Sequence, residues 1–268
     1  MIDNPQGVLD PRQREVAEEV VAHEGAARRH LVVYLSGSHS YGFPSPDSDL
    51  DLKAVHTEST TRLLGLSPPP PSASRLEVIR GVEIDYTSNE IGAVLAGVLG
   101  GNGNYIERLL GELVLQEEPA LAALRPLIRR ALSRRVHRHY RGFAFQQRTA
   151  FEAVGAPTAK QLLYILRTTL TGAHLLATGE LVSDLGLLCD RHGLGEAREL
   201  VEMKRAGERS PLAPDVAARW RLRLDELFLL LDRARESSVL PEEPANVPEL
   251  EAWLVAHRLA AVEAAPAL

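Results

Sequence analysis

Two aspartates are the residues of this sequence whose types and spacing most directly suggest chemistry. Asp49 and Asp51 stand two positions apart in a segment that alternates charged and apolar residues, so on a β-strand both carboxylates leave the same face. Carboxylates held this close repel one another unless protons or cations neutralise them. Mg²⁺ prefers a few carboxylates together with the phosphate oxygens of a substrate. The pair therefore predicts a site for two Mg²⁺ ions, with Mn²⁺ as the alternative cation.

A candidate phosphate-binding turn precedes this pair. Gly37 and Ser38 follow the apolar, β-branched run at residues 30–35, which is typical of a buried strand, and Ser38 stands eleven residues before Asp49. A turn at a strand end offers free backbone N–H groups to phosphate, and glycine lets the backbone approach closely. One short stretch thus predicts both a phosphate grip and a metal platform.

A third carboxylate is expected on a neighbouring strand, where Glu83 and Asp85 are both available. The two lie on the same strand face, so periodicity alone does not choose between them. We favour Asp85 because it lies deeper in the apolar run, between Ile84 and Tyr86. An Asp-x-Asp pair alone is more typical of a solvated turn, but the Gly-Ser turn and the later carboxylate together favour a metal site.

These residues resemble the signature of the DNA-polymerase-β-like nucleotidyltransferase superfamily. The signature comprises Gly37-Ser38, Asp49-Leu-Asp51 and Asp85. The full run from Gly37 to Asp51 is similar to a narrower bacterial group of predicted nucleotidyltransferases, some of which are associated with RNA repair. Two looser helical motifs extend the resemblance over most of residues 31–179, and they run Asn104-x-x-Glu107-x-Leu109 and Lys160-x-x-x-Tyr164-x-x-Arg167.

The chain departs from the narrower group at Lys53, where that group usually has arginine. A lysine lacks the planar fork that binds phosphate through two parallel hydrogen bonds.

The resemblance implies that an NTP, with ATP as the first candidate, donates a nucleoside monophosphate to an acceptor hydroxyl. Asp49 and Asp51 would bridge two Mg²⁺ ions, and Asp85 would ligate the catalytic ion and accept the acceptor's proton. The turn at Gly37 and Ser38 would hold the β- and γ-phosphates. In-line attack on the α-phosphate would then release pyrophosphate.

A helix stripe in the second half of the chain is the other candidate for nucleotide binding. Lys160, Tyr164 and Arg167 share one face at helical spacing, opposite a leucine-rich face. Such a stripe on an arbitrary helix is usually a solvated basic surface. Two cations and a phenol also suit a triphosphate tail and a base or sugar, and the resemblance favours that interpretation.

The elements that position these residues follow from periodicity and turn chemistry. A helix is predicted at 11–29, and strands are predicted at 30–35, 49–56, 75–80 and 82–87. Four prolines at 68–71 predict a loop over 67–74, and Gly81 leaves open a hairpin or a bulged strand. From Ser88-Asn89, a candidate N-cap, the pattern is helical, with helices predicted to 99 and at 105–110, 119–152, 158–178, 195–206, 214–237 and 248–262.

The predicted class is α+β. A small mixed β-sheet nucleotidyltransferase domain with flanking helices occupies residues 1–117, and an all-helical domain at 118–268 closes the nucleotide site. The 268 residues have the composition of an ordinary globular protein, with 45% hydrophobic and 25% charged residues. A single cysteine, Cys189, excludes a disulfide framework and a cysteine-rich zinc site. Without a signal-peptide layout at residues 1–11 or a long apolar run, we expect a cytoplasmic protein that does not enter a membrane.

Charge is distributed unevenly, although the net charge is only −6. Residues 125–167 contain ten Lys or Arg and one acid, so the rest of the chain is clearly acidic. A basic stripe that includes Arg130, Arg134, Arg141 and Arg148 needs neutralising, either by the acidic first domain or by the phosphates of RNA.

The sequence leaves the acceptor open among an RNA end, a protein hydroxyl and a small molecule, and it leaves the base preference and oligomeric state open. The competing functions are a catalytically silent nucleotide-binding regulator or antitoxin-like partner, and a nucleic-acid-binding helical protein. The intact carboxylate set favours the enzyme.

Overall fold

A computed structural model describes residues 7–207 and 211–263 of the protein. The first six residues, part of the segment read for a signal peptide, lie outside the described part, as do residues 208–210 and 264–268 of the predicted helical domain. No helix within the described ranges is both long and apolar enough to cross a membrane.

The sheet has five strands, in the order β3-β4-β2-β1-β5. The strands are β1 (Arg29–Leu35), β2 (Leu50–Thr57), β3 (Ser72–Ile79), β4 (Val82–Glu90) and β5 (Val114–Glu117). β2 and β4 are parallel, whereas the other neighbours are antiparallel, so the sheet is mixed and the predicted α+β class is confirmed. The parallel register sets Asp51 beside Asp85.

The described residues after Glu117 form helices and the loops between them, as predicted. In chain order the helices are α1 (Pro11–Ala27), α2 (Gly37–Ser40), α3 (Thr60–Leu63), α4 (Ile91–Leu99), α5 (Gly103–Leu110), α6 (Ala120–Ala131), α7 (Val136–Ala153), α8 (Ala159–Thr178), α9 (Leu185–His192), α10 (Ala197–Ala206), α11 (Pro214–Glu236) and α12 (Val247–Glu263). α8 begins at a capping box between Thr158 and Gln161 and ends at Gly179, whose positive φ closes the helix.

The turn between β3 and β4 resolves an alternative that the sequence left open. Arg80 and Gly81 both have positive φ, 49° and 73°, which is the geometry of a two-residue hairpin turn. The segment is therefore a hairpin and not a continuous bulged strand. β3 also begins at Ser72, so it takes up the end of the predicted loop.

The predicted N-cap at Ser88-Asn89 is wrong, because both residues pair with β2 as part of β4. Glu90 caps α4 instead, and its carboxylate accepts hydrogen bonds from the backbone N–H groups of Gly92 (2.7 Å) and Ala93 (3.3 Å). Pairing with β2 thus extends β4 through the residues that the sequence pattern predicts as a helix cap.

The single helix predicted over 119–152 is also wrong, because Leu132 adopts an extended conformation that separates α6 from α7. Arg134 N–H donates to the Pro241 carbonyl at 2.8 Å, so the break is fixed by a contact distant in sequence. β5 and α9 are further elements that the sequence pattern did not predict.

One apolar core joins the two halves of the chain. It includes Leu31 of β1, Leu121 of α6 and Leu250 of α12. α12 also reaches back to the sheet, where Arg258 pairs with Glu90 at 2.8 Å. The division into domains at residues 117 and 118 therefore stays a prediction.

Candidate active site

The predicted carboxylates meet on one face of β2 and β4. Asp51 and Asp85 are direct neighbours in the parallel register. Lys53, two residues along the same face, places its Nζ 2.8 Å from Asp85 Oδ1 and 3.5 Å from Asp51 Oδ1. Asp49 lies just before β2, beside the same cavity. An ammonium group therefore stands between the two strand carboxylates.

The glycine of the turn is required by the close approach of Asp51. Gly37 has a φ of 66°, and a Cβ at this position would lie 1.9 Å from Asp51 Oδ2. Ser36 N–H donates to the Asp51 carbonyl at 2.8 Å, which ties the turn to β2. Ser38 is buried, and its hydroxyl has no hydrogen-bond partner within the described part of the chain. The turn and the carboxylates thus form one packed unit.

A cavity of about 280 Å³ opens beside this unit. Its lining residues are Ser36, Gly37, Tyr41, Asp49, Asp51, Lys53, Asp85, Asn104, Glu107, Arg108, Phe143, Tyr164 and Arg167. The structure thus brings together six of the eight residues predicted for the site. Ser38 and Lys160 are not part of the lining, and Lys160 is half-buried one turn before Tyr164 on α8.

Tyr164 is held in an aromatic cluster at the cavity wall. Its ring lies edge-on to Tyr41 and Phe43, with centroids 5.8 and 5.6 Å away. Burial is the main cause that raises the pKa of Tyr164, so its hydroxyl stays protonated. A fixed, neutral aromatic ring of this kind can contact a base or sugar.

Arg167 forms a buried ion pair with Glu107 of α5. Arg167 Nη1 lies 2.8 Å from Glu107 Oε1, and both side chains are only 3% exposed. Tyr41 and Tyr140 donate their hydroxyls to the same carboxylate at 3.4 and 3.3 Å. The guanidinium also lies 3.7 Å from the centroid of the Tyr41 ring. Much of the Arg167 charge is therefore balanced inside the protein.

Two of the lining residues to which the sequence reasoning gave no role are Glu107 and Arg108. Arg108 lines the cavity, and its guanidinium donates to the Asn89 side chain and weakly to the Ala54 carbonyl at 3.5 Å. Glu107 was visible in the Asn104 motif, but it was given no role. The only sequence signal for Arg108 was its position directly after Glu107 in that motif. The fold shows in addition that the Arg108 side chain reaches β2 and β4.

Glu83 and Asp85 occupy different environments. Asp85 lines the central cavity of about 280 Å³, whereas the exposed Glu83 lines a second space of about 320 Å³ beside Leu76 and Val78 of β3, which we call the outer groove. Asp49 and Asp85 line both spaces, so the groove reaches the carboxylates from the outer edge of the sheet.

The basic stripe is neutralised by partners that the sequence reasoning did not name. Acids of α11, α12 and the segment between them pair with four of its arginines: Arg130 with Glu249, Arg134 with Glu242, Arg141 with Asp232, and Arg148 with Asp225. Of the two alternatives that the sequence left open, neutralisation by the acidic first domain is therefore wrong for these four arginines, because the acids come from the same helical half.

The donor set suits Mg²⁺, which takes oxygen ligands. Within residues 7–207 and 211–263, no three His, Cys, Asp or Glu side chains surround one point closely enough to hold a metal ion as they stand. Asp51 and Asp85 share the Lys53 ammonium instead. A divalent cation would have to replace that ammonium between the same carboxylates.

The ionisation of Asp51 reflects this crowding. Burial first, and then the nearby Asp49 carboxylate, raise the pKa of Asp51 to about 6, although the Lys53 ammonium opposes the shift. The folded chain holds this proton more tightly than the unfolded chain does. The free energy of unfolding therefore falls as the pH rises through the interval from about 4 to about 6.

We accordingly expect Asp51→Asn to match the wild type in stability at pH 4 but to exceed it at pH 7 by about 1–3 kcal/mol. Urea unfolding at both pH values, in the presence of a chelator, measures the difference. A variant that is less stable than the wild type at pH 7 would contradict the assigned environment of Asp51.

Comparisons with known proteins find one family model, a relative of similar length and a solved structure. A family model described as the RNA repair pathway DNA polymerase beta family matches residues 13–256. An uncharacterized protein of Methanocaldococcus jannaschii is 28% identical over 226 residues, which cover 83% of this chain and 91% of the relative. The crystal structure of a nucleotidyltransferase-like protein from Exiguobacterium sibiricum aligns with a TM-score of 0.33 and 11% identity, over 91% of this chain and 87% of that one. The family match includes every residue that lines the cavity.

Proposed function

Because the chain belongs to the RNA repair pathway DNA polymerase beta family, we propose that it is a metal-dependent nucleotidyltransferase. It moves a nucleoside monophosphate from an NTP, with ATP as the first candidate, to an acceptor hydroxyl and releases pyrophosphate. The family description favours an RNA end as the acceptor. The membership itself confirms the superfamily resemblance drawn from the sequence.

One observation carries the proposal: Asp51 and Asp85 stand side by side on parallel strands with a cation between them, at the mouth of the cavity. Asp49, Asp51 and Asp85 would hold two Mg²⁺ ions, or Mn²⁺ in their place. When bound, the metals polarise the phosphate oxygens and stabilise the entering and leaving oxygens. A metal ion held by these carboxylates would take the place of the Lys53 ammonium, which would then be available to a phosphate.

The rest of the cavity has the chemistry of a nucleotide site. The Gly37 turn, with Ser38 behind it, faces the β- and γ-phosphates, and Arg108 adds a cation. Tyr164 contacts the base or sugar, and Lys160 on the same helix face adds positive charge toward the triphosphate. Arg167 lines the nucleotide cavity, although Glu107 balances much of its charge. Cations that line a partly enclosed cavity bind phosphate more strongly than they would in open water.

The outer groove supplies a path for the acceptor. It meets the central cavity at Asp49 and Asp85, and neither Tyr164 nor Arg167 lines it. A hydroxyl that enters there reaches Asp85, which accepts its proton as the oxygen attacks the α-phosphate. The acceptor and the departing pyrophosphate thus occupy opposite sides of the carboxylate group.

The test is to incubate the purified protein with each of the four NTPs, labelled at the α-phosphate, together with cellular RNA. We expect label on RNA in step with pyrophosphate release, and loss of both when a chelator removes the metal. Label on protein or on a small molecule would replace RNA as the acceptor. No transfer with any NTP in Mg²⁺ or Mn²⁺ would refute the enzyme and leave a nucleotide-binding regulator.

A further inference from the structure

A buried lysine from the helical half contacts the loop that leads into Asp49. Lys204 of α10 is 0% exposed. Its Nζ donates to Ser45 Oγ at 2.9 Å and to Ser48 Oγ at 3.3 Å, although the serines lie more than 150 residues earlier. Burying an ammonium group costs free energy, and the hydrogen bonds to the two serine hydroxyls offset part of that cost.

The two serines form a closed turn directly before the first carboxylate. Ser45 N–H donates to Ser48 Oγ at 2.9 Å, and Ser48 N–H donates to the Ser45 carbonyl at 2.9 Å. Their hydroxyls lie 3.0 Å apart, so Lys204 Nζ and the two oxygens make a compact cluster. Asp49 is the next residue along the chain, and the conformation of this turn therefore sets where its carboxylate can lie.

Lys204 also contacts the start of the same loop. Its Nζ lies 5.9 Å from the centroid of the fully buried Phe43 ring. Phe43 N–H donates to the Ser38 carbonyl at 3.1 Å, and its ring packs on Tyr164. The lysine thus connects both ends of the segment that runs from the phosphate-binding turn to the carboxylates.

We propose that Lys204 is a positioning residue that holds Asp49 in place relative to Asp51 and so sets the affinity of the site for divalent cations. The inference rests on the proposed function and deepens it. The helical half then contributes to the metal site as well as to nucleotide binding. Some residues orient a metal ligand without binding the metal themselves. Replacing such a residue commonly lowers the metal affinity by about 10–100-fold.

The test compares Lys204→Met, which keeps the length of the side chain, with Leu200→Ala on the same helix. Leu200 is equally buried, but it packs in the core around Trp220. Mn²⁺ alone is the probe, and electron paramagnetic resonance measures how much of it remains free. We expect Lys204→Met to weaken Mn²⁺ binding by about tenfold or more. Leu200→Ala should lower stability and change Mn²⁺ affinity by less than about twofold.

Amide exchange over residues 43–50 is a second readout that needs no metal. We expect Lys204→Met to speed exchange of the Ser45 and Ser48 amides by about tenfold, with no such change in Leu200→Ala. If Lys204→Met does not fold, Ser45→Ala is measured in its place, because it removes the nearer acceptor of Lys204 and leaves both backbone bonds of the turn. Mn²⁺ affinity equal to that of the wild type would overturn the proposal. A wild type that binds no Mn²⁺ would refute the proposed function instead, and amide exchange would then decide the positioning role alone.

Discussion

Asp85→Asn should lower the rate of pyrophosphate release by about 1000-fold or more, whereas Glu83→Gln should change it by less than about fivefold. Asp85 lines both the central cavity and the outer groove, and it pairs with the Lys53 ammonium at 2.8 Å. Glu83 lines the outer groove but not the central cavity. A loss of about 1000-fold corresponds to about 4 kcal/mol of transition-state stabilisation. That is a reasonable share for a residue that binds a metal and accepts a proton.

The two variants form a matched pair. They remove the same charge from the same face of β4, two residues apart. Release is measured at saturating Mg²⁺ and NTP, so that weaker binding does not imitate a slower step. Asp49→Asn and Asp51→Asn belong in the same series, and we expect losses of similar size. A loss in Glu83→Gln as large as that in Asp85→Asn would assign the third carboxylate to Glu83.

Glu107→Gln should lower the free energy of unfolding by about 3–5 kcal/mol. The substitution leaves the Arg167 guanidinium buried without its counter-charge, since the pair is 2.8 Å apart and both side chains are almost fully buried. The hydroxyls of Tyr41 and Tyr140 also lose the carboxylate that accepts their hydrogen bonds. Arg167→Met should cost a similar amount, because it leaves the carboxylate unpaired.

The double variant separates the loss of the pair from the cost of leaving one charge behind. Glu107→Gln with Arg167→Met buries no net charge, so we expect it to be more stable than either single variant. Glu249→Gln is the control, since its pair with Arg130 is about half exposed, and its effect should be below about 1 kcal/mol. Urea unfolding measures all four. Single variants no less stable than this control would show that the buried pair is not structurally important.

The sequence predicts the carboxylate platform because the signal is local. A spacing of two residues in an extended segment predicts a common side for Asp49 and Asp51, although Asp49 lies just before β2. The turn at Gly37 is predicted for the same reason, since a turn at the end of a strand is a local feature. The spacing does not show that β2 pairs in parallel with β4 and not with β3, the next strand along the chain.

Three of the details that the sequence reasoning missed depend on contacts distant along the chain. Glu90 replaces Ser88 as the cap of α4 because pairing with β2 extends β4. The break after α6 depends on the bond from Arg134 to Pro241. The partners of the basic stripe lie about 75–120 residues further along, a distance at which helix periodicity has no information.

The return of α12 to the sheet has a consequence for synthesis on the ribosome. When residue 117 has emerged, all five strands exist, but the apolar core that includes Leu31 still lacks Leu121 and Leu250. Glu90, which caps α4, cannot form its ion pair before Arg258 has been synthesised. We therefore expect the sheet to assemble stably only after α12 has been synthesised. A truncation before α12 would keep every residue that lines the cavity and still lose part of the support beneath it.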